Sequence, residues 1–260
     1  MLNTVHNDQI SYFQPLNERL RTFLRLNFLF RQAKHNMQGD SLHDSHDTLI
    51  TLMEIIKCVN QQDFKKEVLK ELERVNLTLA PLQDSPDIKH NALDEILSSI
   101  KKFRKDLLAI SGPFANELKD DEFLKSIQQR NNIPGGLSEY EPPIYQFWLK
   151  QSKEYRAGDY SRWFSVFDSL DDSIDLIINM IIQSATPKNE IAYGGSFQQS
   201  LDTKVPYQMV VVSLPEGSQI FPEISGGKHR FSIRFMDSTS KPRPVQTEND
   251  IEFELSCCAL

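Results

Sequence analysis

Apolar residues recur at three- and four-residue intervals through the first 130 positions, which is the spacing of one face of an α-helix. The first predicted helix follows Asn17, a residue type that caps helix N-termini. A second is capped by Ser45 or Asp47 and carries a single apolar stripe. Third and fourth helices with similar stripes stop at Pro81 and Gly112. These segments predict a helical bundle.

The pattern changes after turn-forming residues at 133–136 and 142–143. Aromatic and branched residues at 144–149 predict a strand. Helical periodicity resumes from about Asp159, and apolar residues at 163–181 then alternate four- and three-residue steps. This stretch is the strongest helix signal in the chain.

Strand patterns replace helical periodicity after Pro187, with a run that is apolar on both faces at 207–214 and two-residue alternation at 229–236 and 251–255. The predicted strands span residues 207–214, 219–224, 229–236 and 251–255. We therefore predict an α+β fold with two domains whose chain segments interleave. The helical domain comprises residues 1–121 and 161–185, and a smaller β-sandwich-like domain comprises residues 122–160 and 186–260.

Composition indicates a globular cytoplasmic protein. The chain has 260 residues, of which 39% are hydrophobic and 25% charged, enough to bury a substantial core. The three cysteines, one alone and two adjacent, make a poor disulfide framework and suit a reducing compartment. We see no export signal or membrane-spanning stretch. The net charge of −7 should repel nucleic acid and anionic membranes, so an anionic partner needs a local basic patch.

The most informative segment is residues 228–236, KHRFSIRFM. A two-residue period directs Lys228, Arg230 and Arg234 to one face and the apolar residues between them to the other. The two arginines could bind separate carboxylates or backbone carbonyls of an extended acidic peptide. The alternative is a solvated edge strand that uses charge to prevent aggregation.

A second basic set lies on the first predicted helix, at Arg19, Arg21, Arg25 and Arg31. Arg21 and Arg25 stand four residues apart on one face, where like charges repel unless a carboxylate lies nearby. An intramolecular partner is the simpler interpretation. The functional alternative is that this face borders the same pocket as Arg230.

Three local motifs resemble chemical sites, and the context of each argues against that reading. Residues 43–47 combine two histidines with two carboxylates, but they lie where the second helix should be capped, which favours a polar loop over a zinc site. Residues 257–260 match a prenylation box without a polybasic run before them, so a buried strand end is preferred. Residues 226–228 lack the remaining positions of a phosphate loop. With no local catalytic signature, we assign neither catalysis nor a cofactor.

Five sequence blocks are informative in combination: residues 15–22 (PLNERLRT), 70–74 (KELER), 133–136 (IPGG), 224–235 (ISG followed by RFSIRF) and 253–258 (FELSCC). Together they resemble the ZapD family of cell-division factors. They run from near the first residue to near the last, so the resemblance covers essentially the whole chain.

The resemblance implies a helical domain joined to a β-sandwich-like domain, a two-fold homodimer, and a basic pocket for the acidic and apolar C-terminal tail of the tubulin-like FtsZ. It implies no cofactor and no reaction. The residues that match basic positions are Lys228, Arg230 and Arg234 on the strand, Arg21 and Arg25 on the first helix, and Arg130. Gln61 and Gln146 depart from a basic residue and a histidine of the family, which puts those two contacts in doubt.

Two classes of function follow. The first is a non-enzymatic factor at the mid-cell division ring that bundles FtsZ filaments, since a dimer presents two weak tail sites to two filaments. The second is an enzyme in which Arg230 and Arg234 clamp a small anionic substrate. A deep closed pocket with an acid or base beside these arginines would favour the enzyme, and an open groove would favour the peptide-binding module.

Dimerisation is expected through the helical domain. The stripe at 163–181 is expected to be covered mostly by helices of the same chain. The first helix is apolar around most of its circumference, so one face can enter the bundle and another can meet a two-fold partner. Phe28 and Phe30 are the residues predicted to make that interface.

Overall fold

The computed structural model describes residues 9–60, 64–84, 90–131, 133–138, 142–239 and 243–260. Its fold is α+β, as predicted. The chain forms two compact units. The helical unit comprises residues 23–176, and the sheet unit comprises residues 1–22 and 177–260. The sheet unit is thus built from two chain segments that flank the helical unit in sequence.

Eight α-helices lie within the part of the chain that the structure describes. They are α1 Glu18–Asn36, α2 Leu42–Val59, α3 Phe64–Leu79, α4 His90–Ala109, α5 Glu122–Asn131, α6 Pro143–Leu149, α7 Lys153–Phe164 and α8 Asp168–Gln183. Asn17 caps α1 as predicted, because its Oδ1 accepts a hydrogen bond from the Leu20 backbone N–H at 2.9 Å. None of these helices combines the length and apolar character needed to cross a membrane.

Helix α2 begins one turn earlier than predicted. Its N-cap is Ser41, whose Oγ accepts from the Asp44 backbone N–H at 3.0 Å while Asp44 Oδ2 accepts from the Ser41 backbone N–H at 3.0 Å. This reciprocal pair is a capping box, which satisfies two backbone donors at once. Ser45 and Asp47, the predicted caps, therefore lie inside the helix.

The strand predicted at 144–149 is wrong, because these residues form α6. Pro142 caps the helix and Pro143 occupies its first position, where proline lacks only a donor that has no intrahelical partner anyway. Tyr145, Trp148 and Leu149 are buried. Trp148 and Leu149 lie three and four positions after Tyr145, which is the spacing of one face of a helix. A stretch of six residues is too short for its composition to distinguish a helix from a strand.

The apolar stripe at 163–181 is buried throughout, as predicted, but it does not belong to one continuous helix. Helix α7 ends at Phe164 and a 3-10 turn at Ser165–Phe167 separates it from α8. The six residues of the stripe, Trp163, Phe167, Leu170, Ile174, Ile177 and Ile181, are each no more than 1% exposed. The stripe is therefore buried within this chain.

The sheet unit contains two antiparallel sheets. Its strands are β1 Gln9–Pro15, β2 Lys188–Ala192, β3 Ser196–Ser200, β4 Tyr207–Pro215, β5 Ile220–Gly226, β6 Arg230–Asp237, β7 Val245–Gln246 and β8 Ile251–Ala259. The first sheet has the order β1-β4-β8-β2. The second has the order β3-β6-β5, with β7 paired to β6. The four predicted strands correspond to β4, β5, β6 and β8.

Residues from both sheets pack into one core, which makes the unit a β-sandwich. Val210, Val212, Phe253 and Leu255 of the first sheet join the second-sheet residues Phe231, Ile233 and Phe235 in a buried cluster. Strand β1, which the sequence patterns did not predict, pairs with β4 along its whole length, from Gln9 opposite Pro215 to Pro15 opposite Met209.

The units divide the chain differently from the predicted domains. Residues 1–22, predicted with the helices, lie in the sheet unit because they contain β1. Residues 122–160, predicted with the strands, lie in the helical unit, where they form α5, α6 and most of α7. The prediction of a strand at 144–149 caused the second difference.

Candidate functional site

Strand β6 is the middle strand of the second sheet, hydrogen-bonded to β3 on one side and β5 on the other. Phe231, Ile233 and Phe235 are buried in the sandwich core, whereas Arg230 and Arg234 are exposed on the opposite face. The predicted division into a core face and a cationic face is confirmed. The edge-strand interpretation is wrong, because β6 has a neighbour on both sides.

Small polar side chains surround the two arginines. The pairing register places Ser196, Gln198 and Ser200 of β3 on this face, together with Ser232 of β6 and Glu223 and Ser225 of β5. We call this surface, including Arg230 and Arg234, the cationic face. Arg230 and Arg234 are four residues apart along a strand, so their Cα atoms are separated by about 13 Å. On this face of β6, only Ser232 lies between them.

A cleft of about 530 Å³ opens at the Arg230 end of the cationic face. It is lined by Gln198, Ser225, Gly226, Gly227, Lys228, His229, Arg230, Phe231 and Ser232. The lining combines cationic groups with serine and amide side chains, and no carboxylate occurs among these described residues. Such a lining suits an anionic, hydrogen-bonding ligand.

Gly226 and Gly227, beside the cleft, shape the β5–β6 hairpin. Gly226 pairs with Phe231, and a Cβ added at Gly226 would lie 2.7 Å from the Phe231 Cβ. Gly227 N–H donates to the Arg230 carbonyl at 3.0 Å, which closes the turn. The close approach of the two strands requires glycine at position 226 and holds Arg230 at the mouth of the cleft.

The two arginines differ in their partners. Arg234 Nη2 donates to Glu223 Oε2 across the strand pair at 2.8 Å. Arg230 makes no ion pair or side-chain hydrogen bond with the rest of the described chain. Its guanidinium therefore presents all its donors to a ligand, whereas that of Arg234 is partly engaged.

The arginines of α1 occupy separate surroundings. Arg21 forms an exposed ion pair with Glu18 at 3.2 Å, one turn earlier on the helix, as the simpler interpretation expects. Arg25 is exposed one turn further along α1. Arg21 is the last but one residue of the first segment of the sheet unit, and Arg25 belongs to the helical unit.

The remaining predicted positions lie in or beside the helical unit. Arg130 is partly buried near the end of α5. Gln146 lies on α6, not on a strand, and its Nε2 is buried without a hydrogen-bond partner among the residues described. Gln61 falls outside the described residues.

The histidine-rich segment and the terminal cysteines have structural roles. His46 lies inside α2, and its Nδ1 is 2.7 Å from the hydroxyl of Tyr145, a group whose pKa burial raises to about 12. No group of three or more potential metal ligands occurs within the described ranges. Cys257 and Cys258 lie on β8, which continues to Ala259, so the predicted strand end is confirmed.

Sequence reasoning missed Glu223. A usable signal was present, because a β-hairpin that pairs Gly226 with Phe231 also pairs Glu223 with Arg234. Residues 219–224 and 229–236 were both predicted as strands, and only the turn register between them was left undetermined. The β3 side of the cationic face had no such signal, since β3 was not predicted.

Fold and site together define an α+β protein whose β-sandwich displays a cationic face. Comparison with known proteins identifies the family. The ZapD family model, described as a cell division protein, matches residues 24–234.

Relatives called cell division protein ZapD align over nearly the full chain. The protein of Methylococcus capsulatus is 39% identical over 253 residues, which is 97% of this chain and 99% of that protein. The protein of Aromatoleum aromaticum is 35% identical over 251 residues, covering 96% and 98%. That of Chromobacterium violaceum is 34% identical over 250 residues, covering 96% and 99%. The chain belongs to the ZapD family of cell division proteins.

Proposed function

We propose that this protein binds the C-terminal tail of FtsZ through its cationic face and, as a homodimer, cross-links and bundles FtsZ filaments. In this role it is a non-enzymatic cytoplasmic factor that stabilises the division ring at mid-cell, without a cofactor. The observation that carries the proposal is the state of Arg230, an exposed guanidinium without an ion pair among the described residues, at the mouth of a 530 Å³ cleft.

The chemistry of the cleft supports an acidic peptide as the ligand. Lys228 and Arg230 supply positive charge in a chain whose net charge is −7, so the attraction is local. Ser225, Ser232 and Gln198 can bond to peptide groups beside the carboxylates. Since β6 is paired on both sides, the tail contacts side chains and does not add a strand to it.

The cleft favours peptide binding over the enzymatic alternative. Of the titratable side chains of the described lining, His229 is the one suited to act as a general acid or base, and no carboxylate in that lining accompanies it. The cleft also lies on the outer face of a sheet. An extended ligand can pass over such a surface and continue beyond it.

Three further arginines are included in the proposal. Arg21 and Arg25 form a basic pair on α1, and Arg130 is near the end of α5. We assign them secondary contacts with the tail. To bind the tail, Arg21 must give up its exposed ion pair with Glu18. This costs little, because exposed ion pairs contribute about 0–1 kcal/mol.

The proposed dimer uses α1, and the structure corrects which residues are available. Phe28 is 55% exposed, whereas Phe30 is only 3% exposed and packs against Phe167 with ring centroids 6.1 Å apart. Phe28 therefore remains as the predicted interface residue, and Phe30 does not. Two tail sites on one dimer convert weak single contacts into filament cross-linking through effective concentration.

Co-sedimentation with FtsZ polymers tests the function directly. The protein should pellet with polymers of full-length FtsZ and thicken them into bundles, because each filament presents many tails. Polymers of FtsZ without its C-terminal tail are the matched control and should leave the protein in the supernatant. Equal pelleting with both polymers would contradict tail recognition.

A further inference from the structure

The ion pair between Arg234 and Glu223 occupies part of the cationic face. Arg234 Nη2 lies 2.8 Å from Glu223 Oε2, and the two residues are directly opposite each other in the β5–β6 pairing. The register of the hairpin therefore places the two side chains next to each other. The ion pair engages one nitrogen of the Arg234 guanidinium with a carboxylate of the protein itself.

A carboxylate of a bound peptide would compete with Glu223 for Arg234. A guanidinium binds a carboxylate best through two parallel N–H groups, and Glu223 already engages one of the two N–H groups of Nη2. Two carboxylates on one guanidinium also repel each other. A peptide carboxylate on Arg234 must therefore either displace Glu223 or bind the remaining N–H groups against its repulsion.

The exchange is feasible because the pair is exposed. The side chains of Arg234 and Glu223 are 61% and 47% exposed, so water can solvate the released carboxylate. Exposed ion pairs contribute about 0–1 kcal/mol. The pair is thus too weak to close the site to a ligand.

Arg230 faces no such competitor within the described chain. An extended peptide repeats its facing direction every second residue, so carboxylates four residues apart are separated by about 13 Å, as are Arg230 and Arg234. One peptide carboxylate can bind Arg230 at once, whereas a second meets the competing charge of Glu223 at Arg234.

We propose that Glu223 is a built-in competitor that imitates the second carboxylate of the peptide and lowers the affinity of the cationic face for acidic ligands. This inference rests on the proposed function and deepens it, because it assigns the two arginines unequal parts in one site. Because the affinity of one cationic face is low, a single tail binds and dissociates readily. Two such sites on a dimer keep the dimer bound to the filament.

The test measures the affinity of the FtsZ C-terminal tail peptide for four full-length variants by fluorescence anisotropy. They are the wild type, Glu223→Gln, Arg234→Gln and the double variant. Glu223→Gln should bind about two- to fivefold more tightly, since it keeps the size of the side chain and releases Arg234. The gain should vanish in the Arg234→Gln background.

Two controls separate the exchange from a general change of charge. Glu252→Gln on β8 of the first sheet removes the same charge from an exposed position and should bind like the wild type. Replacing the acidic residues of the peptide by their amides, one at a time, should identify one peptide for which Glu223→Gln gives no gain. That peptide lacks the carboxylate that binds Arg234.

The outcomes distinguish this inference from the proposed function. Peptide binding by the wild type with no gain in Glu223→Gln, or with an equal gain in both backgrounds, would overturn the competitor role and leave tail recognition intact. Failure of the wild type to bind the peptide at all would overturn the proposed function, and the competitor role with it.

Discussion

At the residue scale, the thiol of Cys258 illustrates how burial controls reactivity. Cys258 is fully buried near the end of β8, and burial raises the pKa of its thiol to about 12. Burial also raises the pKa of Cys58 and of Cys257, both of which are only partly buried. The thiolate is the reactive form, so access and pKa both protect Cys258 most strongly.

Alkylation should therefore discriminate among the three cysteines. With iodoacetamide at about pH 8.5, close to the pKa of an unfolded thiol, we expect Cys258 to react at least tenfold more slowly than Cys58 in the native protein. A mass-spectrometric time course measures both rates. In urea the rates should converge, and equal rates in the native protein would contradict the burial of this thiol.

The same residue predicts a direction for stability against pH. Its folded pKa lies above its unfolded value, so its contribution to the free energy of unfolding is complete below about pH 8.5. That contribution is lost as the pH rises toward 12, because only the unfolded thiol ionises readily in this range.

At the element scale, Arg156 connects α6 to its surroundings within the helical unit. Its side chain is buried, and Nη1 donates to the carbonyls of Leu149 at 2.9 Å and Gln151 at 2.6 Å. Nη2 lies 3.5 Å from the Asp40 carbonyl and 3.7 Å from its carboxylate. One guanidinium thus joins the C-terminal end of α6, the start of α7 and the segment before α2.

Arg156→Ala should lower the free energy of unfolding by about 2–4 kcal/mol, because it leaves buried carbonyls without donors. Urea denaturation followed by circular dichroism measures the change. Arg31→Ala on the exposed side of α1 is the matched control and should change stability by less than about 0.5 kcal/mol. Similar midpoints for both variants would show that Arg156 does not hold α6 in place.

Sequence patterns predict an element correctly when the repeat extends over many residues. The stripes of α2, α3 and α4 and the alternation in β6 and β8 extend over enough residues to identify the element. The stretch at 144–149 is too short for this, since five apolar or aromatic residues around Gln146 suit either element, and only the tertiary structure makes them α6.

Sequence patterns predict a shared face correctly for residues that lie on one element. Arg230 and Arg234 follow from the two-residue period of one strand. Glu223 and the β3 serines depend on pairing between strands, which local patterns do not fix. The availability of Phe28 and the burial of Phe30 likewise depend on which face of α1 the helical unit covers.

At the scale of the whole molecule, the proposed bundling requires two tail sites on one particle. Phe28→Asp should produce a folded monomer, because Phe28 is exposed on α1 and a charge there opposes an apolar interface. Sedimentation equilibrium gives the mass, and anisotropy with the tail peptide should show unchanged affinity.

The control for dimerisation is Leu77→Asp, which places the same charge at another exposed apolar residue of the helical unit. It should remain a dimer and bundle filaments. If the Phe28→Asp monomer bundled filaments as well as the wild type, cross-linking by dimerisation would be refuted.

The effect of salt should distinguish tail binding at the cationic face from the dimer interface at Phe28, both of which are proposed. Charge attraction at the cationic face is screened over about 8–10 Å at physiological ionic strength, whereas burial of Phe28 is not screened. We expect bundling, measured by light scattering, to fall several-fold between about 50 and 300 mM salt. The mass of the dimer should stay constant over the same range. Bundling that is insensitive to salt would argue against a charge-based site.

The central claim is that the cationic face recognises the FtsZ tail, and the most direct measurement is co-sedimentation of the Arg230→Glu, Arg234→Glu double variant with FtsZ polymers. Both side chains point away from the sandwich core, so the variant should keep the circular dichroism of the wild type. Lys188→Glu on β2, exposed on the first sheet, is the control for charge reversal. The account predicts that the control pellets with FtsZ like the wild type and that the folded double variant stays in the supernatant. Wild-type pelleting by the double variant would contradict it.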